Sequence, residues 1–147
     1  MTLLFVFGTL KRGFPLHSAI DGARYLGLCQ TVSPFPMMVA GHVYGPMMLD
    51  RPGRGLRIGG ELYEAGGGVV ASVEKAENNG DPGNYCRPIE VRMTGGLVLR
   101  ALACFKDARL ARPRHSGYLA HYQDRRFICP KERSPSMPPL RLLSRSG

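Results

Sequence analysis

The chain has no hydrophobic run long enough to cross a membrane, and this absence sets its broad class. A membrane-spanning helix needs about 20 consecutive apolar residues, whereas the apolar run at the start, Leu3–Val6, is short. The basic pair Lys11 and Arg12 follows that run instead of preceding it, so we expect no signal peptide. The 147 residues are 44% hydrophobic, with a mean hydropathy of −0.14. These values predict one globular domain over residues 1–132, located in the cytoplasm and without membrane contact.

Closely spaced metal ligands and cysteine pairs are also missing. No His-x-x-x-His or Cys-x-x-Cys pair occurs, which argues against a metal site. The wide spacing of the four cysteines is typical of reduced thiols in a cytoplasmic protein, with two disulfides as the open alternative. No thiol stands in a setting that would activate it as a nucleophile. The residues concerned are His17, His42, His115, His121, Cys29, Cys86, Cys104 and Cys129.

Acidic residues are few, with 11 Asp and Glu against 20 Lys and Arg, so the formal net charge is +9. The basic residues are enriched after residue 109. Nucleic-acid binding could explain such an excess, but no helix-turn-helix, zinc-finger or aromatic RNA-binding motif accompanies it. The pattern instead favours a flexible basic tail over residues 133–147, where the sequence has no periodicity. The sequence therefore argues against nucleic acid as a partner, and it does not indicate the oligomeric state.

Long helical patterns are scarce, and 19 glycines with 12 prolines exclude a helical bundle. One helix is predicted over Val69–Glu77, where Val69, Val70, Val73 and Ala76 form an apolar stripe before an Asn-Asn-Gly stop. A shorter helix is predicted between Pro15 and Gly22, and a loop over Pro46–Gly55. The fold class is therefore α+β, a small mixed β-barrel of five to six main strands with one or two flanking helices. The predicted strands are residues 3–7, 24–32, 36–40, 57–64, 85–93 and 97–105.

The first strand runs into a loop that could bind an anion. Leu3–Val6 is apolar, and Gly8 breaks the strand within Phe7-Gly8-Thr9-Leu10-Lys11-Arg12. A loop of this kind presents unpaired backbone amides, which can hold a small anion such as a carboxylate.

Glu77 is the carboxylate best placed for chemistry. It lies seven positions after Val70, close to the apolar stripe of the predicted helix, and at that helix's C-terminus. Apolar surroundings and the helix dipole both disfavour a negative charge there. Such a carboxylate can take up and return a proton near neutral pH. The alternative is a frayed, solvent-exposed glutamate before the Asn-Asn-Gly turn.

Five segments, in consistent order over about residues 3–130, resemble the γ-glutamyl cyclotransferase-like family. The first is Phe7-Gly8-Thr9-Leu10-Lys11, similar to the family's aromatic-Gly-Thr-Leu-Lys motif. Two departures are Phe7, where the family usually has tyrosine, and Ala76, where a larger residue commonly precedes the glutamate. The other matching segments are Leu26-Gly27 with 31–36, Gly60-Glu61-Leu62-Tyr63, Glu77 followed by Tyr85-Cys86-Arg87, and the aromatic stretch 118–130.

The resemblance implies an enzyme whose substrate is a small γ-glutamyl compound. The substrate's α-amine attacks its own γ-carbonyl and releases 5-oxoproline and a free amine or amino acid, so that no cofactor is needed. Glu77 would be the general acid/base, and Phe7, Gly8, Thr9, Leu10 and Tyr85 would bind substrate. Arg87 would be a structural strand residue. The alternative is a non-catalytic small-molecule or protein-binding module on the same fold.

Overall fold

The computed structural model describes residues 1–129, and a closed five-stranded barrel forms its centre. The strand order around the barrel is β1-β5-β2-β6-β7, and a parallel contact between β1 and β7 closes it. The other barrel pairs are antiparallel, so the predicted small mixed α+β barrel is confirmed. The elements are β1 (Thr2–Val6), β2 (Arg24–Thr31), β3 (Met37–Ala40), β4 (Gly45–Met48), β5 (Gly59–Ala65), α1 (Gly67–Ala76), β6 (Asn84–Met93) and β7 (Val98–Lys106).

Alternate residues of β1 and β5 belong to two separate apolar clusters. One cluster fills the barrel and includes Phe5, Leu62 and Phe105, all nearly inaccessible to solvent. The other includes Leu4, Val6 and Tyr63 and lies on the opposite face of β1 and β5. Successive side chains of a strand point to opposite faces, so β1 and β5 are covered on both sides.

Helix α1 covers the outer face through the predicted apolar stripe. Val73 is buried there, and Val69, Val70 and Ala76 pack around it. The helix begins two residues before the predicted start, at Gly67, and ends at Glu77 as its C-cap. Asn78 has a φ of 57° in the left-handed region, which asparagine tolerates at a helix end. The shorter predicted helix is a 3₁₀ turn over His17–Ile20.

The predicted loop over Pro46–Gly55 is wrong in its first three residues. Gly45–Met48 forms β4, which pairs with β3 in a separate two-stranded sheet. Proline is tolerated on a strand whose other side needs no backbone donor. Pro46 therefore does not prevent this short pairing with Val39.

The expectation of four reduced cysteines is also wrong for one pair. Cys86 of β6 and Cys104 of β7 lie directly opposite each other and form a disulfide. They are 18 positions apart in the chain, and only the register of the β6–β7 hairpin brings them together. Cys29 and Cys129 are free and buried.

Many of the cations in the described residues contact aromatic rings. The guanidinium of Arg12 lies 4.0 Å from the ring centroid of Tyr25, and that of Arg125 lies 4.1 Å from that of Phe14. Such contacts are attractive because a cation favours the negative face of a ring. They give part of the basic excess a packing role. The whole basic tail predicted for 133–147, and the last residue of the aromatic segment 118–130, lie outside the described residues.

Asp50 joins the segment after β4 to strand β6. Its two carboxylate oxygens accept hydrogen bonds from Arg87 at 2.8 Å and 2.7 Å, and from the Tyr85 hydroxyl at 2.8 Å. Arg87 is thus a structural strand residue, as expected. These contacts, led by the Arg87 hydrogen bonds, hold the pKa of Asp50 below its usual range.

Among the described residues, no helix is both long and apolar enough to span a bilayer.

Leu62→Ala tests the barrel core. Leu62 is 0% exposed, so truncation should lower the free energy of unfolding by about 2–5 kcal/mol through lost burial and a residual cavity. Chemical denaturation measures the change. The matched control is Leu97→Ala, at a leucine that is 62% exposed, where the change should stay within about 0.5 kcal/mol. Equal effects at the two leucines would contradict the assigned core.

Asp50→Asn tests the ionic contact through its pH dependence. The pKa of Asp50 is lower in the folded chain than in the unfolded chain, where it is about 3.9. The carboxylate therefore stabilises the fold above about pH 4, and this contribution is lost as the pH falls through the folded pKa. The free energy of unfolding of the wild type should exceed that of the variant by about 1 kcal/mol at pH 7, and the two values should converge in acid. A difference that grows in acid would contradict the contact, and Asp21→Asn is the control at an exposed aspartate.

Candidate functional site

A cavity of about 910 Å³ lies where the end of β1, the C-terminal end of α1 and the β3–β4 turn meet. Its walls include Phe7, Gly8, Thr9 and Leu10 from the predicted anion-binding loop. They also include Glu77. The structure thus brings together five of the six residues predicted to form the site, although 67 positions separate Leu10 from Glu77. The packing of α1 on β1 is what makes this possible, because Val73 and Leu10 belong to the same apolar cluster.

The loop after β1 has its carbonyls occupied and three of its amides available. The carbonyl of Gly8 accepts from the Lys11 amide at 3.0 Å, and that of Thr9 accepts from the Leu16 amide at 2.9 Å. The carbonyl of Leu10 lies 2.9 Å from Nδ1 of His17. Among the described residues, the amides of Gly8, Thr9 and Leu10 have no hydrogen-bond acceptor. An anion in the cavity would supply one.

Gly8 is required by a close approach of the loop to the β3–β4 sheet. A Cβ atom at this position would collide with the ring of Pro46, which also lines the cavity. A glycine leaves room for the backbone where a neighbouring segment lies this close. The short second sheet, which sequence analysis missed, therefore helps to set the position of the loop.

Glu77 is held at the cavity wall by a lysine that sequence analysis did not single out. Lys106 Nζ donates to the backbone carbonyl of Glu77 at 2.8 Å and lies 3.4 Å from its Oε1. The side chains are 23% exposed for Glu77 and 15% for Lys106, so Glu77 is not the frayed solvent-facing residue of the alternative interpretation. Lys106 is the last residue of β7, one position beyond the predicted strand, and no local pattern links it to a glutamate 29 residues earlier.

Glu77 is the one acidic side chain among the described residues that line the cavity. The cationic lining residues are Lys75, Lys106, Arg109 and Arg112. This balance favours ligands that carry negative charge. Asn84 also lines the cavity, and its buried Oδ1 has no partner among the described residues. It can accept a hydrogen bond from a bound ammonium group.

Tyr85 is the one predicted site residue that the structure does not bring to the cavity wall. Its ring stacks on Phe105 and its hydroxyl is bonded to Asp50. Burial, with the hydrogen bond to Asp50, raises the pKa of Tyr85 to about 12. Its neighbour Asn84 lines the cavity instead, because consecutive strand residues point to opposite faces.

The described residues offer no metal cluster, and the Cys29 thiol is not activated. Burial and the nearby Glu61 charge raise the pKa of Cys29 to about 12, so this thiol stays protonated at neutral pH. No group of three or more His, Cys, Asp and Glu side chains among residues 1–129 could hold a metal ion.

The chain matches known proteins over most of its length. The family model described as "Gamma-glutamyl cyclotransferase, AIG2-like" matches residues 4–124. A curated relative, Gamma-glutamylaminecyclotransferase of Bos taurus, is 32% identical over 126 residues, which cover 82% of this chain and 73% of the relative. The Homo sapiens protein of the same name is 31% identical over 136 residues, covering 83% of this chain and 88% of that protein.

A solved structure of an AIG2-like protein from Mus musculus has the same fold. It superposes with a TM-score of 0.69 at 26% identity, covering 85% of this chain and 97% of that one. The names of the curated relatives confirm the expected class, an enzyme of the γ-glutamyl cyclotransferase type. The chain belongs to the γ-glutamyl cyclotransferase, AIG2-like family.

Proposed function

We propose that the chain converts L-γ-glutamyl amines into 5-oxoproline and a free amine, with Glu77 as general acid/base. The observation that carries this proposal is the shared cavity: one wall has loop amides without an acceptor, and another has the one acidic side chain among the described lining residues. The names of the relatives support the same substrate class. We expect the activity in the cytoplasm.

The amides of Gly8, Thr9 and Leu10 hold the substrate's α-carboxylate, and Phe7 flanks it. Backbone amides suit this role because they present several donors to one anion without a charged side chain. With the carboxylate held, the α-nitrogen lies near Glu77 and Asn84. Holding the substrate folded brings its amine to its own carbonyl, and effective molarities of about 10⁵–10⁸ M are reached by well-oriented reactions of this kind. Tyr85 has no part in this scheme.

Glu77 relays protons from the α-nitrogen to the leaving nitrogen. It first takes a proton from the α-ammonium, which titrates near pH 8 in free form, and the amine then attacks the γ-carbonyl carbon. The new carbon–nitrogen bond closes the five-membered ring of a tetrahedral intermediate. When the intermediate collapses, the ring nitrogen loses a second proton and the bond to the leaving nitrogen breaks. The leaving nitrogen gains both protons, so the amine departs as an ammonium ion and no cofactor is consumed.

The cations at the cavity wall favour a leaving amine that itself bears an anionic group. Arg109 and Arg112 lie there. The one acidic side chain among the described lining residues, Glu77, is paired with Lys106. Arg109 also pairs with Asp107, which lies outside the lining. A carboxylate on the leaving amine would be attracted to the two arginines, whereas a second ammonium would be repelled. A panel of conjugates that differ only in this charge, analysed for 5-oxoproline by mass spectrometry, is the direct screen.

Glu77→Gln tests the proton relay. The amide keeps the size of the side chain but cannot accept the proton, so 5-oxoproline release should fall at least about a hundredfold. Thermal unfolding should show that the variant remains folded. Glu74→Gln, at an exposed glutamate of the same helix, is the control and should turn over like wild type.

Normal turnover by Glu77→Gln would contradict the assignment of Glu77 as the base. If the wild-type chain releases no 5-oxoproline but melts at a higher temperature with a γ-glutamyl amine, the chain is a binding module instead, because a ligand stabilises whatever fold it binds.

Gly8→Ala tests the loop amides. The added methyl collides with Pro46 and must displace the loop, so kcat/KM should fall about a hundredfold, as misplacement by about 1 Å can cost. Gly117→Ala is the control, since a Cβ there meets nothing within 4 Å. Steady-state kinetics on one γ-glutamyl amine decide the question. Equal kinetics for the two variants would rule out these amides as the binding site.

A further inference from the structure

The Gly60–Tyr63 motif contains a buried carboxylate that the proposed reaction does not use. Glu61 is 8% exposed and lies on β5, directly opposite Val6. Val6 is the last residue of β1, so the predicted substrate-binding loop begins next to Glu61. Paired residues of neighbouring strands point to the same face. Glu61 therefore lies on the outer face of the barrel, where the loop and α1 also pack.

The Glu61 carboxylate bonds directly to the loop. Its Oε1 accepts from the backbone amide of Arg12 at 3.0 Å and from the hydroxyl of Tyr63 at 2.9 Å. Tyr63 is two residues further along the same strand, on the same face. Its ring is fixed by Tyr25, at 5.4 Å between centroids. One rigid strand thus holds the far end of the Gly8–Arg12 loop through a single oxygen atom.

The surroundings make this contact costly to break. A buried carboxylate needs donors or nearby cations. Besides the two hydrogen bonds, the charge of Glu61 interacts with the Lys11 ammonium, whose Nζ donates to the carbonyl of Tyr122 at 2.8 Å. Loss of the acceptor would leave the Arg12 amide and the Tyr63 hydroxyl without a partner.

We propose that Glu61 is a positioning residue, which anchors the loop so that the Gly8, Thr9 and Leu10 amides stay in place for the substrate's α-carboxylate. This inference rests on the proposed function. The amides bind the carboxylate in the ground state and the transition state alike. Loosening the loop therefore raises KM and leaves kcat nearly unchanged, which separates this role from that of Glu77.

The test compares Glu61→Met, which removes the acceptor at similar volume, with Glu61→Gln, which keeps one acceptor oxygen. With L-γ-glutamyl-n-butylamide, Glu61→Met should raise KM about tenfold, the effect of losing hydrogen bonds to a charged group. Glu61→Gln should restore KM to within about threefold of wild type. Glu64→Met is the matched control, because Glu64 lies on the same strand and pairs with exposed Arg24.

A second readout does not need turnover. Glutaric acid mono-n-butylamide keeps a carboxylate and the amide but lacks the α-amine, so it cannot cyclise. Calorimetry should show about tenfold weaker binding to Glu61→Met than to wild type or Glu64→Met. If no 5-oxoproline is released but Glu61→Met still binds the analogue more weakly than wild type and Glu64→Met do, the proposed function is refuted. The role of Glu61 then stands. Unchanged KM and unchanged binding in folded Glu61→Met would overturn the role of Glu61 alone.

If Glu61→Met does not fold, the hydrogen-exchange rate of the Arg12 amide, measured in wild type and in Glu61→Gln, tests the role of Glu61. The Arg12 amide should be protected in both proteins, since each offers it an oxygen acceptor. Fast exchange at Arg12 in the folded wild type would overturn the proposal.

Discussion

The burial of β1 on both faces is the constraint on which the rest of the structure depends. Phe5 points into the barrel, whereas Leu4 and Val6 point outwards against α1. A strand covered on two sides cannot shift its register by one residue without moving each apolar set into the cluster that is packed for the other. The barrel and the helix are therefore fixed to each other across the outer faces of β1 and β5. Strand β1 ends at the loop whose Gly8, Thr9 and Leu10 amides have no acceptor among the described residues, and the helix ends at Glu77, so both ends meet at one cavity.

The loop after β1 combines occupied carbonyls with amides that have no acceptor within residues 1–129. Its carbonyls are occupied by Lys11, Leu16 and His17, so its shape does not depend on a ligand. The amide at the far end of the loop, that of Arg12, donates to Glu61. A carboxylate of the protein therefore already binds one end of the loop, and a second, ligand carboxylate would bind the neighbouring amides by the same chemistry. Preorganised donors of this kind lose little entropy when an anion binds.

The barrel, and the loop and glutamate that line the cavity, could be predicted because their signals are local. The apolar stripe at Val69, Val70 and Val73 and the glycine after Leu3–Val6 are visible in short windows of sequence. The contacts that were missed are non-local. Lys106 meets Glu77 only after β7 has passed the end of α1, and Cys104 meets Cys86 only through the β6–β7 register. Tyr85 lies on the other face of its strand from Asn84, and its link to Asp50 depends on a loop 35 residues earlier.

The contact between Lys106 and Glu77 bears on how a paired carboxylate can act as a base. Lys106 has two bonds to the same residue, one to the Glu77 carbonyl at 2.8 Å and a longer one, 3.4 Å, to Oε1. A substrate ammonium can replace the longer contact while the shorter one remains, so the lysine keeps a partner throughout. The cation is thereby held beside the carboxylate without occupying both of its oxygens. The proposed proton transfer then needs only a change of partner at one oxygen, and no movement of the helix that carries Glu77.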